Sequence, residues 1–363
     1  MKKTLLAAAL LAGFAGAAQA QSNVTLYGIV DAGFNYAKLE GNKSRVGIDS
    51  GLMGQSRWGI RGSEDIGNGL KAIFTLENGF NADEGTQLQS RLFGRAAWVG
   101  LESASAGRVI FGRTTNLGFA WAAGIVNPFG LSFGTSTVGS TFGYNDADLG
   151  AGRADNAVYY FSPRFSGFQA GIGYSFNING QETMNTKANS RLLDLGVQYA
   201  NGPLKAVLTY QIVDPVSQTA GGTAVANNGK FKNLTLGANY DFGVVAVYAG
   251  YANAKNINNP GAWNGAAAYS GTGYTSGATS ANFTKDNAWT LGVSAPIGGA
   301  AKVYAAYQKA TQSKVKGFAL GATYDLSKRT NLYAYFAQNE VRQWTTNRDL
   351  DARQFAAGLQ HRF

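Results

Sequence analysis

The chain has 363 residues, among them 49 glycines, 21 phenylalanines and 18 tyrosines but only 6 prolines and no cysteine, and its formal net charge is +10. The lack of cysteine excludes disulfides and thiolate-ligated metals, and the abundance of glycine and aromatic residues favours many strands and turns over helices. A soluble chain of this length usually divides into several domains. No linker or shift in composition divides this one, which predicts a single large domain.

The first twenty residues carry the three parts of a secretory signal. Met1-Lys2-Lys3 is positively charged, residues 5–18 are apolar and mostly small, and Ala18-Gln19-Ala20 is a cleavage site of the A-x-A type. An anchoring helix is the alternative, but the apolar run is short for a bilayer and no stop-transfer pattern follows it. We therefore expect a signal peptide over residues 1–20 and a mature barrel domain over residues 21–363.

From Val24 onward, segments of about ten residues alternate between apolar and polar side chains, as strands of outer-membrane barrels do. In the first segment Val24, Leu26 and Val30 share one face, and Thr25 and Asp31 lie on the other. The pattern predicts sixteen strands, at residues 23–37, 55–64, 69–80, 90–102, 106–114, 154–162, 167–176, 190–200, 203–213, 230–241, 243–254, 285–296, 299–309, 315–326, 329–338 and 352–363.

The connections between these strands are mostly short and long in turn, and the short ones contain glycine, proline, asparagine and aspartate. No apolar run after residue 20 is long enough for a spanning helix, the best candidate being residues 117–126. Only helices and closed barrels satisfy every backbone polar group in lipid. The predicted fold class is therefore all-β, a 16-stranded antiparallel transmembrane β-barrel. A soluble sandwich is the alternative, although its strands average only about five or six residues.

The C-terminal segment alternates up to an aromatic last residue. One face holds Phe355, Ala357, Leu359, His361 and Phe363, and the other holds Gln354, Gln360 and Arg362. A terminus is normally frayed unless something holds it, so this ending predicts pairing with another strand and closure of the barrel. The single histidine falls on the lipid face, where interfacial packing is expected, and a Ser/His hydrolase would need a positioned base. We expect no enzymatic activity, no cofactor and no metal site.

A sixteen-stranded barrel encloses a lumen too wide for its side chains to fill. The longest loop, residues 115–153, mixes apolar pieces with two acids. Folded outward, it would expose five large apolar side chains to water, so we expect this third loop to fold inward and narrow the bore. These side chains are Trp121, Ile125, Phe129, Phe133 and Phe142.

Arginines are predicted to line the bore beside this loop. Arg57 and Arg61 alternate with Trp58 and Ile60, and an arginine facing lipid would cost about 2–4 kcal/mol at mid-membrane, which places the arginines inward. A second pair repeats the pattern, and two further arginines flank the loop. The predicted basic side of a constriction is Arg57, Arg61, Arg91, Arg95, Arg113 and Arg153.

Two acids of the loop, Asp146 and Asp148, are expected to face these arginines. Guanidiniums at a constriction would create a transverse field that orders water and favours anions. The alternative for each arginine is a structural ion pair with a lumen acid such as Asp31 or Glu77. Because the basic residues fall on strand faces, the positive net charge does not indicate nucleic acid binding.

The chain resembles the general trimeric porins of the Gram-negative outer membrane, in the branch found in beta-proteobacteria. The stretches that carry the resemblance are residues 24–33, 56–65, 69–74, 99–101, 111–113 and 162–163 and the final Phe363. Enteric members of that family have Pro-Glu-Phe-Gly-Gly in the loop. Here Asn127-Pro128-Phe129-Gly130 lacks the glutamate, so the acidic side of the constriction is assigned to Asp146 and Asp148.

The resemblance implies a basic cluster on the wall opposite an inward third loop, carried by Arg57, Arg95 and Arg153 with Arg113 nearby. It also implies a homotrimer, contacts with outer-membrane lipid and lipopolysaccharide, and export through the periplasm to the barrel-assembly machinery. The C-terminal strand would be the assembly signal, and its residues are Leu359, His361 and Phe363.

The predicted function is that of an outer-membrane porin, a water-filled channel for passive diffusion of ions and small hydrophilic solutes with weak anion selectivity. A substrate-specific outer-membrane channel is the first alternative, with Tyr27, Tyr159 and Tyr304 as candidates for an aromatic path. A non-conducting barrel adhesin is the second. A plugged lumen would distinguish the adhesin from either channel.

Overall fold

The computed structural model describes residues 23–130, 152–184, 189–214, 229–257, 284–343 and 347–363. The predicted signal peptide and the predicted acids of the constriction, Asp146 and Asp148, lie outside the described residues, as do Phe133 and Phe142. Among the described residues, no helix is both long enough and apolar enough to cross a bilayer.

The alternating segments of the sequence form β-strands that join into one sheet. The strands are β1 (Asn23–Leu39), β2 (Arg45–Ser50), β3 (Arg57–Gly67), β4 (Leu70–Gly79), β5 (Ala96–Ser103), β6 (Gly107–Thr115), β7 (Arg153–Phe161), β8 (Phe168–Ser175), β9 (Arg191–Asn201), β10 (Leu204–Asp214), β11 (Phe231–Asp241), β12 (Ala246–Lys255), β13 (Lys285–Ile297), β14 (Ala301–Ala310), β15 (Lys316–Asp325), β16 (Thr330–Gln343) and β17 (Arg348–Arg362). The helical elements described are a 3-10 turn (Leu88–Ser90), a π-helical turn (Gly118–Ala122) and an α-helical turn (Ala123–Val126).

The sheet closes on itself into a sixteen-stranded antiparallel barrel. From β3 onward each strand pairs with the next one in the chain, and β17 pairs with β1. The long β1 has two partners on its other edge, since residues 23–29 pair with β3 and residues 32–37 pair with β2. β2 and β3 thus share one position in the ring, and the sixteen-stranded prediction is confirmed.

The seam between the two ends of the chain closes the barrel. The β1–β17 register runs from Ile29 opposite Arg362 to Leu39 opposite Ala352. Below it, Gly28 and Phe363 exchange two backbone hydrogen bonds of 3.1 Å. The predicted pairing of the C-terminal strand is confirmed, and the last residue of the chain belongs to the ladder.

Side chains sort by parity into an apolar outer surface and a polar inner one. In β11, for example, Asn233 and Thr235 are each only 1% exposed, whereas Leu236 on the opposite face is 52% exposed. On this strand the inner face is buried and the outer face is partly to fully exposed. The two-residue period of the sequence corresponds to these two faces.

Three strands differ from the prediction. β2 lies in a stretch predicted as a loop, and β16 and β17 extend to Gln343 and Arg348 through another predicted loop. β2 does alternate, with Val46 and Ile48 exposed on the outer face and Arg45 and Asp49 on the inner one, but it is only six residues long. Backbone pairing with β1 holds β2 in the wall, and backbone pairing within the β16–β17 hairpin extends β16 and β17.

The strand predicted at residues 90–102 begins only at Ala96. Gln89 and Ser90 have φ values of +60° and +52°. This left-handed backbone is incompatible with a strand, and the chain folds into a 3-10 turn there. Arg91 and Phe93 therefore lie before the strand, and the parity that assigned Arg91 to the lumen face does not apply to it.

The seam allows a direct test of how the last residue closes the barrel. A Cβ at Gly28 would collide with the ring of Phe363 and stand 2.7 Å from the Arg57 carbonyl oxygen. We expect Gly28→Ala to lower the free energy of unfolding by about 1–3 kcal/mol through overpacking, measured by urea titration of the folded barrel in detergent with tryptophan fluorescence. Gly299→Ala is the matched control, because a Cβ there has no neighbour within 4 Å. Equal stability of the two variants would contradict this account of the seam.

Candidate functional site

After β6 the chain turns into the barrel and lies along its inner wall. Leu117 and Val126 are fully buried, and Ile125 and Phe129 are buried to 7% and 2% exposure. Trp121 is half-buried against the same clusters. These residues belong to the stretch 116–130, which we call the inner loop. The inward course predicted for the third loop is confirmed for this described part of it.

Glycines on the inner wall make room for the inner loop. A Cβ at Gly196 would stand 2.8 Å from the Trp121 ring, one at Gly250 would stand 2.6 Å from Val126, and both are closer than side-chain contacts allow. The same holds along several strands from β8 to β15, so the loop lies in a groove of the wall. The groove consists of Gly171, Gly196, Gly237, Gly250, Gly292 and Gly321.

Polar side chains of the wall hold the loop backbone. The buried Asp194 carboxylate accepts a hydrogen bond of 2.7 Å from the Leu117 amide and one of 2.9 Å from the Tyr159 hydroxyl. Farther along, the Asn239 amide donates to the Ile125 carbonyl oxygen at 3.1 Å. These bonds satisfy groups that the loop would otherwise bury without partners, and they fix its height in the barrel.

Four of the predicted arginines meet on the wall that the inner loop leaves open. Arg57 begins β3, Arg95 immediately precedes β5, Arg113 lies on β6 and Arg153 begins β7. Arg153 lies within the electrostatic field of the other three, and its guanidinium covers the Phe119 ring of the inner loop at 4.9 Å. Its Nε donates to the Arg95 carbonyl oxygen at 3.2 Å. Arg91 joins these four because it shares the Asp155 carboxylate with Arg113. We call the five residues Arg57, Arg91, Arg95, Arg113 and Arg153 the arginine cluster.

Two carboxylates lie within this cluster and pair with part of it. Glu77 accepts a 2.6 Å hydrogen bond from the Arg95 guanidinium and a 3.0 Å bond from the Tyr27 hydroxyl. Asp155 accepts bonds of 2.6 Å from both Arg113 and Arg91. At this level the described residues place five guanidiniums beside two carboxylates, an excess of positive charge. The structural pairing weighed as an alternative therefore holds for Arg95 with Glu77 and for Arg91 and Arg113 with Asp155, and it coexists with that excess.

Of the six predicted arginines, Arg61 and Arg91 differ in position from the other four. Arg61 lies four residues along β3 from Arg57, and its guanidinium stands over the Tyr27 ring at 5.2 Å. Arg91 lies off the strand, and its side chain is 42% exposed while it pairs with Asp155. Phe93, which the strand prediction put on the arginine side, packs against the outer-face Trp58 with ring centroids 6.3 Å apart.

One basic residue near the cluster was not among the predicted site residues. Ile29 of β1 pairs with Arg362 of β17 on one edge and with Arg57 of β3 on the other. The two arginines therefore lie in one row across the inner wall. Arg362 contributes to the positive field at Arg57, and its Nε donates to the Gln360 side chain at 3.0 Å. In the sequence, Arg362 falls on the same face of the last strand as Gln354 and Gln360, and this alternation indicated that it points inward.

The residues of the predicted assembly signal lie on the outer face of the barrel. Leu359 and Phe363 are 44% and 43% exposed on the outer surface. A hydrogen bond of 2.9 Å joins the Nδ1 atom of His361 to the Thr330 hydroxyl. The histidine therefore adds a side-chain hydrogen bond to the pairing of β16 with β17, at the end of the barrel where the C-terminus lies.

The chain thus forms a closed sixteen-stranded barrel with an inward loop and an arginine-rich inner wall. A model of the Gram-negative porin family matches residues 7–343 of the chain. The chain belongs to the Gram-negative porin family. This porin is 41% identical to an outer membrane porin protein of Bordetella pertussis, with both chains covered completely, and 35% identical to outer membrane porin protein 32 of Delftia acidovorans, over 93% of this chain and 89% of that one.

Among solved structures, the anion-selective porin from Comamonas acidovorans superposes with a TM-score of 0.73 at 28% identity, over 94% of this chain and 100% of that one. The porin is thus a protein of the Gram-negative outer membrane and a channel protein, not an enzyme. Its inner loop and arginine cluster meet inside the barrel, where Arg153 covers the Phe119 ring.

The Asp194 anchor makes the position of the inner loop testable in this porin. Asp194→Ala leaves the Leu117 amide and the Tyr159 hydroxyl without their acceptor, at a cost of about 1–3 kcal/mol for each buried group. We expect the loop to leave its groove in part of the molecules, giving a larger and noisier single-channel conductance in planar bilayers. Tyr159→Phe is the control, because it removes one of the two donors and keeps the Leu117 bond, and its effect should be smaller. Wild-type conductance in Asp194→Ala would show that the anchor does not position the loop.

Proposed function

We propose that this porin is a water-filled channel for the passive diffusion of ions and small hydrophilic solutes, with a weak preference for anions. The observation that carries the proposal is the arginine cluster, in which five guanidiniums stand beside two carboxylates at the level of the inner loop.

The position of the cluster makes its charge effective. A narrow bore with low-dielectric walls concentrates the field of charged side chains and raises the local concentration of counter-ions. Two unit charges 4 Å apart interact by about 1 kcal/mol in water and by about 4 kcal/mol at an effective dielectric of 20. An excess of positive charge at the narrowest level therefore raises the entry of anions and lowers that of cations. Asp146 and Asp148 are proposed as the acidic side of the same constriction.

The inward tyrosines give no support to a substrate-specific path. The Tyr27 hydroxyl is bonded to Glu77, and the fully buried Tyr159 is bonded to Asp194. Tyr304 packs on Phe129 of the inner loop, with ring centroids 5.6 Å apart. All three positions serve to hold the wall or the inner loop, which favours general diffusion.

The assembly of the porin is proposed from the family resemblance. The channel would be a homotrimer in contact with outer-membrane lipid and lipopolysaccharide. Residues 1–20 would direct export and be removed, and the barrel-assembly machinery would recognise the outward side chains of Leu359, His361 and Phe363 on the last strand. The exposed apolar outer face of that strand is available for such contacts.

Reversal potentials in a salt gradient test the selectivity. We expect the wild-type porin in a planar bilayer to show a reversal potential of the sign for anion preference, because the excess charge at the constriction is positive. A cation-selective potential would refute the anion preference. Absence of any conductance would refute the channel.

Neutralising the cluster tests which residues set the preference. The triple variant Arg57→Gln, Arg95→Gln and Arg153→Gln should lower the anion-to-cation permeability ratio by about fivefold or more, given pair energies of about 1 kcal/mol even in water. The matched control removes three exposed arginines elsewhere, Arg164, Arg329 and Arg348, and should leave the ratio unchanged. Equal ratios in the two triple variants would remove the cluster from the selectivity mechanism.

A further inference from the structure

A six-residue bulge interrupts the wall between β2 and β3. Ser50 ends β2 opposite Ala32, and Arg57 starts β3 opposite Ile29. Six residues, 51–56, therefore stand opposite the two residues between Ile29 and Ala32, and they cannot all join the ladder. Gly51, with φ of +71°, begins this departure from the sheet. We call residues 51–56 the inner bulge.

Asp31 holds the inner bulge from the inner face of β1. Its carboxylate is fully buried and accepts hydrogen bonds from the Met53 and Gly54 amides at 3.4 and 3.1 Å. The Tyr333 hydroxyl and the Gln360 amide donate to it at 2.8 and 2.9 Å. None of these donors is an arginine, so the pairing weighed for Asp31 at the sequence level is replaced by a role in folding the bulge inward.

The backbone of Asp31 is also occupied by the bulge. Its carbonyl oxygen accepts from the Gly51 amide at 2.9 Å and from the Ser56 hydroxyl at 3.1 Å, and its amide donates to the Ser56 hydroxyl oxygen at 3.0 Å. Both ends of the bulge are thus attached to one residue of β1. Because hydrogen bonds hold the inner bulge at both ends and in its middle, the bulge has a defined conformation.

The inner bulge and the inner loop meet over the same part of the wall. Leu52 is 8% exposed and belongs to one buried cluster with Phe129 of the inner loop and with Tyr333 and Tyr335 of β16. Around the bore, the inner loop covers the wall from β8 to β15, the inner bulge covers the seam, and the arginine cluster occupies β3 to β7. The inner bulge therefore occupies the part of the inner wall between the inner loop and the arginine cluster.

Gln55, at the end of the bulge, reaches the arginine cluster. Its side-chain oxygen accepts a hydrogen bond from the Arg95 guanidinium, and the residue is exposed to the bore. Its neighbour Gly54 is close to Arg57 as well, because a Cβ at Gly54 would stand 3.9 Å from the Arg57 guanidinium. The exposed Gln55 side chain thus lies directly beside two arginines of the cluster.

We propose that the inner bulge is a second pore-lining element, that Gln55 is a specificity-determining residue beside Arg57 and Arg95, and that Asp31 is its positioning residue. This inference rests on the proposed function and adds a site to it. The path of an anion is then lined by the arginine cluster on one side, by the inner loop on another, and by an uncharged amide on the third. The amide adds hydrogen-bonding capacity without adding to the positive charge.

The absence of cysteine from the natural chain allows a single introduced thiol to test the proposal. Gln55→Cys is inserted as the full-length porin into planar bilayers and treated with an anionic or a cationic methanethiosulfonate, which forms a disulfide with the thiol and releases methanesulfinate. We expect the anionic reagent to react about tenfold faster, since a positively charged bore concentrates anions. The anionic adduct should lower both the conductance and the anion preference, and the cationic adduct should raise the anion preference.

Ile48→Cys is the control, because that residue lies on the outer face of β2 at 60% exposure. Neither reagent should change its current. Failure of the Gln55→Cys thiol to react, or adducts that leave conductance and reversal potential unchanged while the wild type conducts and selects anions, would overturn this inference alone. A wild type that does not conduct would overturn the proposed function, and mass spectrometry of the labelled Gln55→Cys protein in its folded state would still decide whether the bulge faces the bore.

The role of Asp31 is tested in the same background. Asp31→Asn keeps the shape but offers a donor where amides already donate, so the bulge should be released. We expect the reagents at the introduced thiol to lose at least part of their effect on the reversal potential, while the total charge of the arginine cluster is unchanged. Tyr333→Phe removes one of the four donors and provides a milder variant where Asp31→Asn does not fold. Adduct effects identical to those in the Gln55→Cys parent for both variants would show that Asp31 does not position the bulge.

Discussion

Closure of the backbone ladder is the constraint on which the rest of this porin depends. Within lipid every amide and carbonyl must find a partner inside the protein, and an open sheet would leave two edges without one. The β1–β17 seam removes both edges, and the chain achieves it down to the mutual bonds of Gly28 and Phe363. A glycine lies on the outer face there because the last aromatic ring occupies the space that a side chain would need.

Closure with sixteen strands creates a second problem, because the bore is too wide for side chains alone. The chain fills part of it with its own backbone, and each inserted segment needs both space and polar partners. The row of glycines from Gly171 to Gly321 provides the space for the inner loop, and Asp194 and Asn239 provide the partners. Asp31 does the same for the inner bulge. The two insertions are therefore features of the wall as much as of the loops.

The insertions also determine where charge acts. They leave open the arc from β3 to β7, and on that arc guanidiniums outnumber carboxylates among the described residues. Ion pairs with Glu77 and Asp155 stabilise the cluster and orient it without cancelling its charge. A cluster balanced by acids would have given a rigid wall and little field. The excess of arginine on this part of the inner wall is what connects this fold to the selectivity proposed for it.

Much of this protein follows from sequence periodicity, because in a barrel each strand sees the same two surroundings and parity alone assigns a side chain to one of them. Sixteen strands, the closing role of Phe363 and the inward side of Arg57 were accessible in this way, and the inward loop was accessible from its large apolar side chains. The short β2 and the late start of β5 were not, since pairing with β1 holds the first in the wall and left-handed backbone at Gln89 and Ser90 delays the second. Only the tertiary structure decided the partners of each charge. Asp31 and Glu77 are both acids on inward-facing positions, yet one holds a backbone bulge and the other an arginine, because that choice depends on which distant strand the closed ring places beside each of them.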